Sequence, residues 1–458
     1  MTSVAGTLGG KRRRIAIFNT NATHRDPRVL RVGGMLAAAG HDVVVFEMRV
    51  GNQAERETLH GMEVRRVAAP TSYGDQDMYR IAELVPEAAA VIRIANAYVW
   101  QFSLTPALHM DTPARLWHRL DRLVRSRILG DSTPPDTYSH VFAQLAPIRS
   151  IMLLNLALFE AARQFAPEIA HCNDLDTLLA GFMLKTACGA SLVFDAHEVY
   201  PEQFSEDMRT DLWHSFYTNL EHSLVHAADA RLTVCDAISE YFADHYRAPG
   251  FVTVRNVPSI RYLASEQVLE RRRDCPTILY HGAYFAHRGL DEVIKAVPHV
   301  EGARFVFRGM GAHQSSLQQL SEQVGVGKRI TFAPPIGVED LVPYASECDI
   351  GLSPFIPVCK NTEFALPNKM FEYMMAGLAC ASSDLVEMRR VTERHDAGVL
   401  FSALDPLAIA ATLNDLLARP DDLARYRANA LAAARAELNW EVESRKLVAL
   451  YRPLLDGR

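Results

Sequence analysis

The chain has 458 residues, of which 49% are hydrophobic, and a formal net charge of −6. This length fits two or three domains, the apolar content excludes global disorder, and the slight acidity argues against a dedicated nucleic-acid binder. The longest apolar stretch, 151–159, is far shorter than the about 20 residues that cross a bilayer, and the first residues lack the apolar core of a secretory signal.

Seven cysteines are scattered singly along the chain, without a CxxC pair. An odd, dispersed set argues against a disulfide framework and against a structural zinc site. We therefore expect the protein to work in the reducing cytoplasm.

Short apolar runs alternate with helical stretches through the first half of the chain. The first strand is predicted over 14–18, a helix closed by Gly40 follows, and the second strand begins at Asp42. Repeated alternation indicates parallel strands joined by helical crossovers, and therefore a doubly wound α/β sheet. We predict an N-terminal Rossmann-like domain over 1–260, with further strands at 61–67, 168–171, 191–194, 230–234 and 251–254.

The segment 71–149 breaks this pattern, because its signal is long and mostly helical. Within this predicted helical insertion, the stretch 114–129 places aliphatic residues on one helical face and many basic residues on the rest. Such a helix can lie on an anionic membrane surface, or it can cover the core of its own domain. We favour the second interpretation and leave peripheral membrane association open.

A charged stretch over 260–276 indicates a linker into a second α/β unit. We predict a C-terminal Rossmann-like domain over 261–437, followed by a last helical segment over 438–458. Its strands are predicted at 277–281, 304–308, 330–332, 350–353, 379–382 and 398–401, and its closing helices at 406–417, 421–437 and 440–455.

The stretch 365–377, ALPNKMFEYMMAG, is the most informative. Pro367-Asn368 favours a helix start and Gly377 a helix end. Lys369 and Glu372 lie near the helix N-terminus, where free N–H groups and the helix dipole favour an anion such as a pyrophosphate. A carboxylate one turn in can accept two hydrogen bonds from a ribose diol. From the residues alone, an ordinary helix with an exposed Lys–Glu pair is the alternative.

Polar residues follow two predicted strands of the first half. His197 comes after a buried strand, and ligands of open α/β sheets bind at the carboxyl ends of strands. There a histidine can donate to a sugar hydroxyl or stabilise a transition state, or it can serve the structure alone. Asp174 and Asp176 match an Asp-x-Asp pattern that binds metal–nucleotide complexes, but they also open an apolar helix. We favour helix capping and predict no metal requirement.

Several phrases, in this order, resemble the retaining glycosyltransferases of the GT-B fold, family four. In that family a Glu in the phrase FEYMAAG binds the ribose of a nucleotide-sugar, and Glu372 matches it. The other matching phrases are Asp26-Pro27-Arg28-Val29, His171-Cys172-Asn173-Asp174, Asp195-Ala196-His197-Glu198, Tyr280-His281-Gly282 with Arg288-Gly289-Leu290, and the tight turn Arg308-Gly309-Met310-Gly311.

Two positions depart from the family pattern. An acid often stands eight positions before the ribose-binding Glu, but this chain has a phenylalanine there, so the sugar contact falls to Glu363 after a loop shift. The phrase from Tyr280 to Leu290 resembles the family's first phosphate loop, and Ala283 follows its glycine where many members have Arg. The resemblance therefore implies Arg288 as one phosphate cation, and the other is either missing or supplied by Lys369 or Arg308.

The resemblance implies two Rossmann-like domains facing across a cleft, with a nucleotide-sugar on the C-terminal domain and an acceptor on the N-terminal one. The implied reaction is a retaining, metal-independent transfer of a sugar to a glycan, lipid-linked or small-molecule hydroxyl, without a cofactor, in polysaccharide or glycoconjugate biosynthesis. The implied residues are His197, Arg288 and Glu363 for catalysis, Gly282, Arg288, Gly309, Asn368, Lys369 and Glu372 for the donor, and Asp26, Arg28, Asn173 and Glu198 for the acceptor.

Two other functions stay open at this point. A nucleotide-sugar epimerase of the same architecture would act on the donor without an acceptor. A non-catalytic scaffold of the same fold would neither bind nor hydrolyse the donor, and the two departures from the family pattern favour it to some extent.

Overall fold

The computed structural model describes residues 11–68, 138–204, 209, 211–271 and 274–456. Contacts divide this part of the chain into two compact units. Unit 1 takes in the described residues up to Thr233, Tyr241–Val252 and those from Val448 onward, and unit 2 takes in Val234–Glu240 and Thr253–Leu447. Most of the predicted insertion, including the basic stretch 114–129, lies outside the described residues.

Unit 1 is built on a sheet of eight strands in the order β3-β4-β2-β1-β5-β6-β7-β8. The neighbouring pairs from β4 to β7 are parallel, whereas β3 pairs antiparallel with β4. The strands are β1 (Arg14–Asn19), β2 (Asp42–Met48), β3 (Arg56–Leu59), β4 (Met62–Val67), β5 (Ile169–Asn173), β6 (Ser191–Ala196), β7 (Ala230–Thr233) and β8 (Val252–Thr253).

Helices connect these strands as the alternating pattern predicts. They are α1 (Pro27–Ala38), α2 (Tyr138–Phe165), α3 (Leu175–Cys188), α4 (Asp211–Leu224) and α5 (Asp236–His245). The strand order reverses between β1 and β5, which lie side by side although β2, β3 and β4 come between them in the chain. Such a switch point opens a crevice at the carboxyl ends of the strands.

Unit 2 has a sheet of six parallel strands in the order β11-β10-β9-β12-β13-β14. Its switch point lies between β9 and β12. The strands are β9 (Thr277–His281), β10 (Arg304–Arg308), β11 (Ile330–Ala333), β12 (Ile350–Ser353), β13 (Ala379–Ser383) and β14 (Gly398–Phe401).

The helices of unit 2 follow its strands in turn. They are α6 (Leu290–Ala296), α7 (Gln314–Gln323), α8 (Val338–Ala345), α9 (Lys360–Glu363), α10 (Asn368–Met375), α11 (Val386–His395), α12 (Pro406–Leu417), α13 (Pro420–Ala436) and α14 (Trp440–Asp456). Helix α14 begins in unit 2 and ends in unit 1, where the Tyr451 hydroxyl lies 2.6 Å from Nδ1 of His171.

The apolar runs of the sequence predict the buried strands closely, and four strands of unit 2 have the predicted bounds. The sequence did not reveal β3, because three of its four residues, R-E-T, are polar and the strand alternates between exposed and half-buried positions. As a short strand at the sheet edge, it makes the N-terminal sheet mixed rather than wholly parallel.

Candidate functional site

Helix α10 carries the motif that the sequence singled out. It begins at Asn368, has no side-chain cap at Pro367, and is followed by Gly377 at φ +74°. A Cβ at Gly377 would lie 2.9 Å from the Val268 side chain, so a residue other than glycine would be both strained and crowded there. The helix buries its apolar face in the core of unit 2, through Met370, Phe371, Met374 and Met375. Lys369 and Glu372 lie off that face, as predicted.

The Lys369 amine rests on aromatic rings at the carboxyl ends of the strands. Its Nζ lies 3.7 Å from the ring centroid of Tyr280 and 5.4 Å from that of Phe355. Burial, reinforced by the nearby Arg288, holds the pKa of Lys369 well below its usual range. A Cβ on Gly282 would lie 3.1 Å from this amine, so the glycine leaves room beside the cation.

Arg288 shares the Phe355 ring with Lys369, since its guanidinium carbon lies 4.5 Å from the ring centroid. Among the described residues, no carboxylate forms an ion pair with either cation. Cation–π contact holds a positive charge in place without neutralising it. Arg288 therefore remains able to bind an anion, and an anion bound beside Lys369 would favour the charged form of that amine.

Two glycine loops at the carboxyl ends of β9 and β10 approach each other through their backbones. Gly282 follows β9 at φ +135°, and Gly309 follows β10 at φ +157°. The Gly282 N–H donates to the Arg308 carbonyl over 3.0 Å, and a Cβ on Gly309 would lie 1.9 Å from the Gly282 carbonyl oxygen. Only glycine fits such an approach, which brings both loops close to whatever binds there.

Glu372 meets a residue that the sequence analysis did not select. Its Oε2 lies 2.6 Å from Nε2 of His281, the last residue of β9, and His281 is 3% exposed. The rule that marked His197 also marks His281, because both stand at the carboxyl end of a buried strand. Applied to every strand, that rule would have found this pair.

The remaining predicted donor residues are placed differently. Glu363 forms an ion pair with Lys360 over 2.6 Å in the short helix α9, with both side chains 41% exposed. Asn368 is exposed at the first position of α10. Arg308 donates to the Pro334 carbonyl over 2.7 Å and stacks on the Tyr344 ring. Its guanidinium is therefore engaged away from Arg288 and Lys369. Of the two candidates for the second cation, the geometry favours Lys369.

In unit 1, the predicted His197 lies between two carboxylates. Its Nδ1 is 3.3 Å from Asp174 and its Nε2 is 3.5 Å from Asp195. Arg28 also pairs with Asp195, through two contacts of 2.8 and 2.9 Å, and both side chains are almost completely buried. These residues come from α1 and from the ends of β5 and β6, next to the switch point of this sheet.

The electrostatics of this cluster fix its charges. Burial works against the charged carboxylate of Asp195, yet Arg28 and His197 lower its pKa well below the usual range. Burial likewise works against a charged imidazole, but Asp174 and Asp195 raise the pKa of His197 to about 10. The two carboxylates therefore favour the imidazolium form of His197, while burial raises the pKa of Asp174 itself well above its usual range. Burial raises the pKa of Asp176 to about 7.

The capping role expected for the Asp-x-Asp pair is wrong. Asp174 occupies the N-cap position of α3, but its carboxylate caps no N–H of the helix; instead Oδ1 accepts the His197 backbone N–H over 2.8 Å. Asp176 accepts a hydrogen bond of 2.7 Å from the Thr20 hydroxyl. Asp174 does not cap the helix because the loop after β6 brings the His197 N–H to its carboxylate at the carboxyl ends of the strands.

The residues predicted to bind the acceptor lie near the carboxyl ends of the strands of unit 1. Several of them form hydrogen bonds within the fold. Asp26 caps α1 by accepting from the backbone N–H groups of Arg28 and Val29. Asn173 is buried and donates to the Phe18 carbonyl over 2.8 Å. Glu198 is half-buried and adds negative charge beside the Asp-x-Asp pair. Acceptor binding by these residues stays a prediction.

One family model matches part of unit 2. Residues 275–419 match the family model described as "Glycosyl transferases group 1". This match agrees with the resemblance of the phrases that lie in unit 2, and it includes both glycine loops and the whole of α10.

Curated relatives are similar over part of their length. The chain is 28% identical over 250 residues to a D-inositol 3-phosphate glycosyltransferase of Xylanimonas cellulosilytica, covering 50% of this chain and 58% of that protein. It is 27% identical over 337 residues to the protein of the same name from Thermobispora bispora, covering 68% of this chain and 76% of that protein. The chain thus spans little more than half of the first relative.

Solved structures share the fold over almost the whole chain. A sucrose-phosphate synthase from Thermosynechococcus elongatus superposes with a TM-score of 0.70 at 17% identity, covering 98% of this chain and 100% of that one. The Anabaena protein HepE, solved with UDP-glucose, gives a TM-score of 0.63 at 12% identity, covering 96% and 99%. The predicted GT-B fold is confirmed. Among the described residues, none of the helices has the length and hydropathy of a membrane span.

Proposed function

With the GT-B fold and a glycosyl transferases group 1 match over residues 275–419 as the premise, we propose that this chain transfers a sugar from a nucleoside diphosphate sugar to an acceptor hydroxyl. The observation that carries the proposal is the pair of cations in unit 2. Arg288 and Lys369 are held on aromatic rings, without a carboxylate partner among the described residues, beside a glycine loop and the uncapped start of α10.

These residues suit a diphosphate in the donor. Arg288 and Lys369 can each face phosphate oxygens, and the N–H groups at the start of α10 add donors and a favourable dipole. Glu372 lies one turn into the same helix, where its carboxylate can accept the ribose hydroxyls. HepE was solved with UDP and with UDP-glucose, which supports a uridine nucleotide as the first donor to test.

The chemistry follows from where charge develops. As the anomeric bond to the diphosphate breaks, negative charge grows on the leaving oxygen, and Arg288 and Lys369 stabilise it. The proposed reaction keeps the anomeric configuration: the acceptor attacks from the face of the leaving group, and the departing phosphate takes the acceptor proton. Catalysis then needs no metal. His197, as an imidazolium, donates a hydrogen bond to a substrate oxygen, and Glu363 contacts the donor sugar after release from Lys360.

Two curated relatives carry the name D-inositol 3-phosphate glycosyltransferase, so a phosphorylated polyol belongs in the acceptor panel beside glycans and lipid-linked sugars.

A separate proposal concerns association of the protein with a membrane surface. We propose at most a peripheral association, and co-sedimentation with anionic vesicles at low and high salt tests it, because electrostatic binding is lost at high salt.

The test is product analysis with UDP-glucose and other donors, in EDTA, with and without acceptors. The wild type is expected to form a glycoside with retained configuration only when an acceptor is present. Glu372→Ala should raise the donor KM or abolish turnover while the fold stays intact, whereas Glu437→Gln, at the end of α13, serves as an acid-removing control. A new sugar without acceptor would show an epimerase, and neither binding nor turnover would show a scaffold; both results would contradict the proposal.

A further inference from the structure

We propose that His281 is a positioning residue for Glu372, whose carboxylate it holds in place to receive the ribose of the donor nucleotide. This inference rests on the proposed function, since it concerns the same nucleotide site. The phrase Tyr280-His281-Gly282 includes His281, but neither the resemblance nor the sequence analysis gave this histidine a role at the nucleotide.

His281 is fixed by the sheet rather than by a loop. It is the last residue of β9, directly beside the switch point with β12, and pairs in register with Arg308 of β10. Its backbone N–H donates to the Tyr373 hydroxyl over 3.1 Å, and its ring packs on the Tyr373 ring at a centroid distance of 4.7 Å. The imidazole is therefore constrained at both its backbone and its ring.

Tyr373 ties this arrangement to the other side of the switch point. Its hydroxyl donates to the Leu352 carbonyl of β12 over 3.1 Å, so one hydroxyl bridges β9 and β12. A Cβ on Gly351 would lie 2.2 Å from Cγ of Tyr373, so the ring lies flat on a strand that has no side chain at this position. Because Tyr373 follows Glu372 directly in α10, the helix, the two strands and the imidazole form one rigid support.

The contact between His281 and Glu372 indicates which ring nitrogen of His281 carries the proton. Nε2 of His281 lies 2.6 Å from Oε2 of Glu372, while Nδ1 is buried and has no hydrogen-bond partner among the described residues. A buried N–H without a partner costs about 1–3 kcal/mol, so we place the single proton on Nε2, where it is donated to the carboxylate. Glu372 is thereby held as an acceptor, and since a carboxylate accepts roughly four hydrogen bonds, the contact leaves capacity for a diol.

A role of this kind has a specific signature. An imidazole that positions the ribose-binding carboxylate should matter for nucleotides that have ribose hydroxyls and not for those without them. Because the ribose lies away from the bond that breaks, the loss should appear in the donor KM and much less in kcat. A residue that only stabilised the fold would affect both kinds of nucleotide equally.

The experiment measures nucleotide binding by calorimetry to the full chain. From UDP, GDP, ADP and CDP, the ligand that most stabilises the wild type is chosen and compared with its 2′,3′-dideoxy analogue. His281→Phe, which keeps the ring size but lacks the donor, should weaken binding of the ribonucleotide about 10- to 100-fold, as expected for a hydrogen bond to a charged group. It should leave the dideoxy analogue nearly unaffected. His281→Gln, which can still donate, should restore much of the affinity.

The controls separate the possible failures. His395→Phe removes a histidine beside Glu437 in the same unit and should leave both affinities unchanged. Equal losses for both ligands, or no loss for either, would overturn the role of His281 while leaving the proposed function in place. If no diphosphate binds the wild type, the proposed function falls and this inference with it. If His281→Phe does not fold, as its melting curve would show, His281→Asn, whose shorter amide cannot reach Glu372, replaces it under the same criteria.

Discussion

The strand ends of the two units use charge in opposite ways. In unit 1, Arg28 and His197 each pair with the Asp195 carboxylate, and the Arg28–Asp195 pair is fully enclosed. In unit 2, Arg288 and Lys369 lie on aromatic rings, with no carboxylate pairing them in the described part of the chain. The Arg28 and Asp195 charges neutralise each other inside the fold, whereas the Arg288 guanidinium and the Lys369 amine stay available for a ligand. Position at a strand end therefore marks a candidate site, but only the partners show what its charges are for.

The largest effect expected from this contrast is on stability. Arg28→Leu leaves Asp195 buried without its main partner, and breaking a buried pair costs about 3–5 kcal/mol. Urea denaturation should show this loss, and Arg28→Leu combined with Asp195→Asn should recover part of it, because the orphaned charge is gone. Lys369→Met, which removes a half-buried cation from unit 2, should leave the unfolding free energy close to that of the wild type. Equal losses for Arg28→Leu and Lys369→Met would break the comparison.

A smaller effect depends on pH. The folded pKa of His197, about 10, lies above its unfolded value, so its ion pairs stabilise the fold fully below about pH 6.5 and lose that contribution as the pH rises toward 10. His197→Gln should therefore cost about 1–3 kcal/mol at pH 6, as expected for hydrogen bonds to charged groups, and progressively less toward pH 10. A destabilisation that is the same at pH 6 and pH 10 would mean that His197 is not held as an imidazolium.

Much of the fold could be predicted because it depends on local pattern. The buried strands of a parallel sheet are continuous apolar runs, and glycines and prolines mark where helices begin and end, as at Pro367 and Gly377. The edge strand β3 has no such run, because it is four residues long and three of them are polar, which does not distinguish a strand from a loop.

The site could be predicted only in part, since its partners are distant in the sequence. Arg28 and Asp195 are separated by 167 positions, and no local pattern reveals that the arginine is enclosed. Glu372 was predicted, but its partner His281 was not, because the contact spans 91 positions and depends on how α10 packs beside the switch point. Asp174 was expected to cap a helix, and a backbone N–H from the next strand end took its carboxylate instead.

The central claim is that the paired cations of unit 2 hold a diphosphate. The most direct test compares the affinity for ligands that differ only in their number of phosphates. Calorimetry would compare a nucleoside, its monophosphate and its diphosphate on the wild type and on Arg288→Gln/Lys369→Gln. We predict that affinity rises with each phosphate on the wild type and that the rise is lost in the double variant, with both proteins equally folded. The same gain in affinity per added phosphate on both proteins would contradict the account.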